Sequence, residues 1–283
     1  MAEIWKGAPV AEALNARAIA QVEALGARGI HPTLAIIRVG ERPDDLSYER
    51  GAMKRCEKLG VQVRRFLLPQ QASQAQLMEA IAQVNGDPGI HGCLLLRPLP
   101  PQMDEEAARR ALSPAKDVDG ITDGSLAGVF TGSGEGYPPC TAQACIEILD
   151  HYGYSLQGKR AVVVGRSLVV GKPVAMLLLA RHATVTICHT RTQDLPAVCR
   201  GADLVIAAAG KPRMLTQAYF APGQVVLDVG IHVLEDGSMC GDVDDAAAQQ
   251  LAAAVTPVPG GVGTVTTSVL AAQVVAAAGK AVG

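Results

Sequence analysis

The sequence lacks the features that would mark several broad classes of protein. None of its seven cysteines is spaced from another as Cys-x-x-Cys, and the number is odd, so a disulfide framework or a zinc site is not indicated. Buried or half-buried thiols in a reducing compartment are the expectation. The six histidines are scattered singly, which gives no metal constellation. Neither charge sign dominates, with 25 Lys plus Arg against 27 Asp plus Glu, and no block of one sign could track phosphates or anionic lipid. Nucleic acid is therefore not an expected partner. No uninterrupted apolar run approaches the ~20 residues of a bilayer span, so membrane insertion is not expected. Met1 to Val10 contains Glu3 and lacks the basic-then-apolar layout of a signal peptide. A cytoplasmic setting is expected from these readings together.

What is present is a long chain with alternating periods. At ~150 residues per domain, 283 residues predict one or two domains. From Thr33 an apolar run to Val39 is followed by a helical pattern over Asp45–Leu59, a strand-like Val61–Leu68, a helical Ser73–Val84 and a strand-like Ile90–Leu96. Such β-α-β-α-β alternation predicts a parallel sheet with helices on both faces. Pro98, Pro100, Pro101 and Pro114, then Gly120, Gly124, Gly128, Gly132, Gly134 and Gly136, predict a loop-rich hinge. A second alternation runs through strand Arg160–Val164, helix Lys172–Arg181 and strands Thr184–Cys188, Leu204–Ala209 and Val225–Val229. The class is thus α/β, with two doubly wound lobes. Ser268–Ala278 reads as a mostly apolar helix that docks back on the first lobe.

Strand Ala161–Val164 runs directly into Gly165, Arg166, Ser167 and, after three residues, Gly171, where a helical pattern begins. Small residues at such a turn let the backbone approach a pyrophosphate, and the helix N-terminus offers free N–H groups and a positive dipole end. The usual glycine fingerprint is modified: Ser167 stands where a second glycine would be and equally suits a helix cap. The next strand ends at Cys188-His189-Thr190-Arg191, without the acid that would hold the ribose hydroxyls of NAD. Thr190, Arg191 and Arg166 suit a 2′-phosphate instead, favouring NADP over NAD, unless the arginines are only solvated charges.

Four segments read together: Lys116-Asp117-Val118-Asp119-Gly120, Pro139-Cys140-Thr141, Gly165 through Pro173, and Pro257 through Gly263. In this order and spacing the chain resembles the bifunctional methylenetetrahydrofolate dehydrogenase/methenyltetrahydrofolate cyclohydrolase family from about Pro32 onward. The resemblance implies a folate-binding lobe over residues 1–120, completed by the helix 268–283, a linker over 121–138, a Rossmann-like NAD(P)-binding lobe over 139–267, a cleft between the lobes and a homodimer. It implies Tyr48 and Asp119 as catalytic and folate-binding residues, Tyr48 stacking on the folate and Asp119 accepting hydrogen bonds from the pterin. The residue-level alternatives are a core tyrosine and an Asx-type turn. It further implies folate contacts at Pro259, Gly260, Gly263 and Thr266, and cofactor contacts at Gly165, Arg166, Ser167, Gly171, Thr190, Arg191 and Ile231. Thr264 stands where the family motif commonly has proline.

The resemblance also exposes a departure. The family's cyclohydrolase step leans on a lysine four residues after the tyrosine and on a glutamine that orients it; those positions here are Ala52 and Leu96. Lys54 lies two residues on, about 200° around a helix, and Arg97 adjoins Leu96 on what would be the opposite strand face. The expectation is an NADP-dependent dehydrogenase acting on tetrahydrofolate derivatives, with little or no cyclohydrolase activity. Three alternatives compete: the ordinary bifunctional enzyme with Lys54, Arg97 or water substituting, a folate- or nucleotide-binding module without catalysis, and an unrelated two-domain dehydrogenase. The last lacks an evident catalytic His or Lys, since His189 and His232 read as packing or cofactor contacts.

Overall fold

A computed structural model describes residues 1–281. It contains two compact units, each with its own parallel sheet. The three-stranded unit comprises Ala13–Cys140 and the chain from Thr267 onward. Its central strand, Thr33–Val39, pairs in parallel with Gln62–Leu68 on one side and Gly92–Leu95 on the other. The central strand is buried at every position, as a strand covered on both faces must be, whereas the edge strand Gln62–Leu68 alternates between exposed and half-buried residues. Ala35, Ile37 and Val39 pack with Cys93 and Leu95 against Leu77, Ile81 and Val84 of helix Gln74–Gly86. Alternation sends Leu34, Ile36 and Arg38 to the opposite face.

Helix Pro43–Leu59 begins with proline in its first turn and ends where Gly60 turns left-handed at φ 74°. Its buried positions, Asp45, Glu49, Ala52, Cys56 and Leu59, form a stripe at helical spacing. Ser73 and Gln76 form a reciprocal capping box at the start of Gln74–Gly86.

The six-stranded unit comprises Met1–Glu12 and Thr141–Thr266. Its strands lie in the order Glu3–Ile4, Ala254–Val255, Val225–Asp228, Leu204–Ala207, Arg160–Val164, Thr184–Cys188, all parallel. The chain leaves Arg160–Val164 for one neighbour, Thr184–Cys188, and then returns past it to Leu204–Ala207. Strand order therefore reverses beside the end of Arg160–Val164, the place where open parallel sheets bind ligands.

Two expected boundaries are corrected. The first residues do not belong with the three-stranded unit, because Glu3–Ile4 pairs with Ala254–Val255 in the other sheet. Nor is 121–138 a linker: it contains helix Asp123–Thr131 and lies within the three-stranded unit. Three of its glycines, Gly124, Gly128 and Gly136, serve close packing. A Cβ at Gly128 would sit 2.0 Å from the Glu135 carbonyl oxygen, so helix and return loop meet backbone to backbone.

The last helix, Val262–Lys280, is longer than expected, with its first turn in the six-stranded unit and the remainder in the three-stranded one. By length and composition it could cross a membrane, a property the run-length reading missed because Thr, Ser, Gly and Gln interrupt the apolar run. Its most apolar window is 61% buried within the protein, with Val265, Val269, Leu270, Val274 and Val275 in the core.

Candidate active site

In the three-stranded unit, two aspartates of one short segment have different environments. The Asp117 carboxylate is fully buried and accepts hydrogen bonds from the Ile121 and Thr122 backbone N–H groups at 3.0 and 2.7 Å. It closes the turn. Lys116 is also committed, donating to the Val84 and Asp87 carbonyls at 2.6 and 2.5 Å. Asp119 is partly buried and lies beside Cys140, whose thiol donates to the Val118 carbonyl at 3.3 Å. Burial pushes its carboxyl up to about 6, the Asp117 carboxylate adds to the rise, and the Cys140 thiol and Arg97 oppose it. The Tyr48 hydroxyl is pushed well above its ordinary range by burial, then by Asp119 and Cys140, which places all three in one electrostatic neighbourhood. The structure thus brings Tyr48 and Asp119 together, with acceptor capacity left on the carboxylate.

The positions of the absent lysine and glutamine are apolar and closed. Ala52 is 1% exposed and Leu96 6% exposed. One turn before Ala52, buried Glu49 pairs with Arg38 at 2.6 Å and with Arg65 at 2.7 Å, so the charge on that helix face is already matched. Lys54 is exposed, as its angular offset predicts. Arg97 pairs with Glu105 at 3.2 Å while remaining near enough to lower the Asp119 carboxyl.

The six-stranded unit carries a candidate site of its own. Gly165 has φ 144° and a Cβ there would lie 2.2 Å from the Ala208 carbonyl oxygen; a Cβ at Gly171 would lie 2.3 Å from the Gly165 carbonyl oxygen. The strand end, the turn and the start of helix Gly171–Ala180 therefore touch through bare backbone, which only glycine permits. The Ser167 hydroxyl accepts from the Val170 and Gly171 N–H groups at 3.1 and 3.4 Å, so it does cap this turn. Beside the turn is a cavity of about 470 Å³ at the reversal of strand order. Gly165, Arg166, Ser167 and Thr190 line it, joined by residues that the sequence pattern did not single out, among them Thr192, Lys211 and Tyr219. Arg191 is exposed and is not part of this lining; its backbone N–H donates to His189 Nδ1 at 3.1 Å. The residues present suit a dinucleotide phosphate: bare backbone at a helix start, hydroxyls and two cationic side chains.

A smaller cavity of about 190 Å³ is lined by Ile231, Pro259, Gly260 and Gly263. Ile231 belongs here and not to the larger groove; it is 55% exposed, and its Cδ1 lies 2.9 Å from where a Gly263 Cβ would be. Thr266 is 9% exposed and its hydroxyl donates to the Gly263 carbonyl at 3.0 Å, so its proton is spent within the helix. Two buried aspartates fix the surrounding loops. Asp242 accepts from Gly210 and Lys211 N–H, both at 2.9 Å, and from His232 Nε2 at 2.8 Å. Asp228 accepts from Gly230, Asp242 and Val243 N–H, yet burial still pushes its carboxyl up to about 6. His232 thus packs against a carboxylate, while His189 lines the dinucleotide groove.

Comparison with known proteins identifies the family. Residues 5–119 match the family model "Tetrahydrofolate dehydrogenase/cyclohydrolase, catalytic domain", and residues 139–282 match the corresponding "NAD(P)-binding domain". The "Bifunctional protein FolD" of Alkaliphilus oremlandii is 47% identical over 277 residues, covering 98% of this chain and 97% of that protein. The protein of the same name from Carboxydothermus hydrogenoformans is 49% identical over 279 residues, covering 98% and 97%. Among solved structures, the bifunctional FolD enzyme of Campylobacter jejuni superimposes with a TM-score of 0.96 at 34% identity, covering 99% of each chain. The Trypanosoma brucei dehydrogenase-cyclohydrolase, complexed with NADP and an inhibitor, gives 0.92 at 33% identity, covering 99% of this chain and 98% of that one.

Proposed function

The chain belongs to the tetrahydrofolate dehydrogenase/cyclohydrolase family, and from that premise we propose that it oxidises 5,10-methylenetetrahydrofolate to 5,10-methenyltetrahydrofolate with NADP+. The observation that carries this reading is the Asp119 carboxylate, set beside Tyr48 with acceptor capacity free, in a chain that also holds the glycine-built groove. Ionised above pH about 6, Asp119 accepts paired N–H groups of the pterin, and the Tyr48 ring offers a flat face for stacking. Gly165, Gly171 and Ser167 hold the cofactor phosphates, and Arg166 with Thr190 engages the 2′-phosphate. Bound NADP+ supplies the hydride acceptor. The protein's task in this step is alignment, which proximity and orientation can supply without an acid or base.

Hydrolysis of the methenyl cation differs, because it needs an activated water and proton transfers of the kind that general acid–base groups accelerate roughly 10²–10⁴-fold. Ala52 and Leu96 provide no such group, and Lys54 is exposed. We therefore propose a dehydrogenase with weak or absent cyclohydrolase activity. The second reading, full bifunctionality, draws on the relatives' names and on Arg97 lying near Asp119. A guanidinium can orient water but does not take up a proton at neutral pH. A homodimer in the cytoplasm belongs to the proposal through the family resemblance and seven free, buried cysteines.

The test combines protein, 5,10-methylenetetrahydrofolate and NADP+ and follows reduced cofactor and methenyl product together. Equal accumulation of both, above the rate of uncatalysed hydrolysis, is expected. Reduced cofactor without methenyl accumulation would establish full bifunctionality, and no reduced cofactor would leave a binding module. Ala52→Lys combined with Leu96→Gln should raise methenyl hydrolysis at least about tenfold, within the range of one general acid–base group.

A further inference from the structure

In the six-stranded unit, the segments that follow strands Leu204–Ala207 and Val225–Asp228 are joined through one fully buried side chain, Asp242. Its Oδ2 accepts from the Gly210 N–H at 2.9 Å, and its Oδ1 accepts from the Lys211 N–H at 2.9 Å and from His232 Nε2 at 2.8 Å. Lys211 lines the dinucleotide groove. His232 begins the two-residue strand His232–Val233, directly after Ile231, which lines the smaller cavity. Gly230 lies against the same carboxylate, since a Cβ there would be 2.5 Å from both Asp242 Cγ and Oδ1. The backbone around Asp242 is held by other bonds. Its N–H donates to Asp228 at 2.9 Å, its carbonyl accepts from the Leu215 N–H at 2.9 Å, and the Gly241 carbonyl accepts from the Arg213 N–H at 2.9 Å.

We propose that Asp242 is a positioning residue for the dinucleotide: its carboxylate ties the Gly210–Lys211 turn at the groove to the Gly230–His232 segment at the smaller cavity, and so sets the spacing between the regions that take the two halves of NADP+. This rests on the reading of the groove as the NADP+ site. Strand order gives the direction of the bound molecule. Thr190 follows Thr184–Cys188, on one side of Arg160–Val164, so the nucleotide that carries the 2′-phosphate lies on that side. With the phosphates at the Gly165 turn, the other nucleotide continues to the opposite side, past the ends of Leu204–Ala207 and Val225–Asp228. The segments beyond those two strands are the ones Asp242 joins. A carboxylate suits the task because both of its oxygens are acceptors, whereas an amide must turn its NH2 towards one of the three donors. Since backbone bonds hold residues 241 and 242 in place, losing the carboxylate loosens the two segments without releasing Asp242 itself.

The test compares binding of NADP+ with binding of adenosine 2′,5′-bisphosphate, a probe that carries the 2′-phosphate end alone, both by titration calorimetry. His232→Phe keeps a ring and removes its donor; His232→Gln returns a donor. In His232→Phe the Gly210 and Lys211 bonds remain, so the bisphosphate should bind within about twofold of wild type. The NADP+ Kd should rise about three- to tenfold, the weight of one hydrogen bond, and His232→Gln should recover most of that loss. Asp242→Asn should raise the NADP+ Kd about five- to thirtyfold, because the segments then spend less time at the spacing that binds. Hydride transfer in a single turnover at saturating NADP+ should fall at least about tenfold in the same variant. An unchanged NADP+ Kd in either His232→Phe or Asp242→Asn would overturn the proposal. Equal weakening of NADP+ and the bisphosphate in His232→Phe would also overturn it, as a general loosening of the unit. If Asp242→Asn does not fold, the two His232 variants decide the matter by the same comparison. Failure of the wild-type protein to bind NADP+ would instead overturn the reading of the groove itself.

Discussion

The dinucleotide groove and the Asp119 corner are made of different material. At the groove the decisive contacts are between backbones: Gly165 against Ala208, and Gly171 against Gly165, with Ser167 tying the turn to the helix. At the corner the neighbours are side chains: Asp119 with Cys140, and Tyr48 nearby. A backbone-built site either keeps its shape or loses it, because the glycines leave no room for partial change. A side-chain site can lose one activity and keep another. Ala52 and Leu96 fit this view, since they remove proton-transfer groups while Tyr48 and Asp119 stay in place.

The sharpest way to break the contrast is Gly165→Ala. Its Cβ would be 2.2 Å from a carbonyl oxygen at a backbone φ of 144°, so destabilisation of about 3 kcal/mol and a rise of at least about 100-fold in the NADP+ Kd are expected. Thermal unfolding and fluorescence titration measure both; Leu168→Ala, at an exposed position in the same turn, should change stability by less than about 0.5 kcal/mol.

Asp119→Asn addresses the corner. The folate KM should rise about 10- to 100-fold, since removal of a charged hydrogen-bond acceptor costs roughly 1.5–3 kcal/mol, and NADP+ binding should not change. Stability should move the other way. The Asp119 carboxyl is raised from 3.8 to about 6, so between those values the folded state holds a proton that the unfolded state has released, and stability falls as pH rises through the window. The asparagine variant escapes that loss. Its gain over wild type should be absent near pH 4 and complete above pH about 6, on the order of 1–3 kcal/mol, as urea unfolding at the two ends of the window would show. Ser167→Ala, which removes a cap, should cost about 1 kcal/mol in chemical denaturation, less than Gly165→Ala but more than the Leu168→Ala control.

Much of this architecture is legible in the residues. Thr33–Val39, Arg160–Val164 and Thr184–Cys188 have the expected limits because each is a short β-rich run with a clear break at its end. Two-residue strands such as Glu3–Ile4 and Ala254–Val255 carry no periodicity, and with them the true membership of the N-terminus was hidden. The glycines of 121–138 looked like a linker because composition does not distinguish flexibility from close backbone packing. Asp117 and Asp119 are equivalent as letters; only the folded turn commits one to Ile121 and Thr122 and leaves the other facing Cys140. Thr192, Lys211 and Tyr219 join the groove through strand order, a property of the sheet and not of any local pattern. Arg191 lies in the turn beyond strand Thr184–Cys188, exposed and outside the lining, which residue order alone does not show.

The assignment of Glu3–Ile4 to the six-stranded sheet, and of the chain beyond Thr267 to the three-stranded unit, has a consequence for synthesis and for surgery on the gene. Neither unit is a contiguous stretch of message. The ribosome completes the three-stranded unit only after the whole six-stranded unit has been translated, and a cut at any single codon gives a fragment of at least one unit. Fusions, tags and insertions are therefore best placed by following which unit a segment belongs to, and not by its distance from an end of the chain.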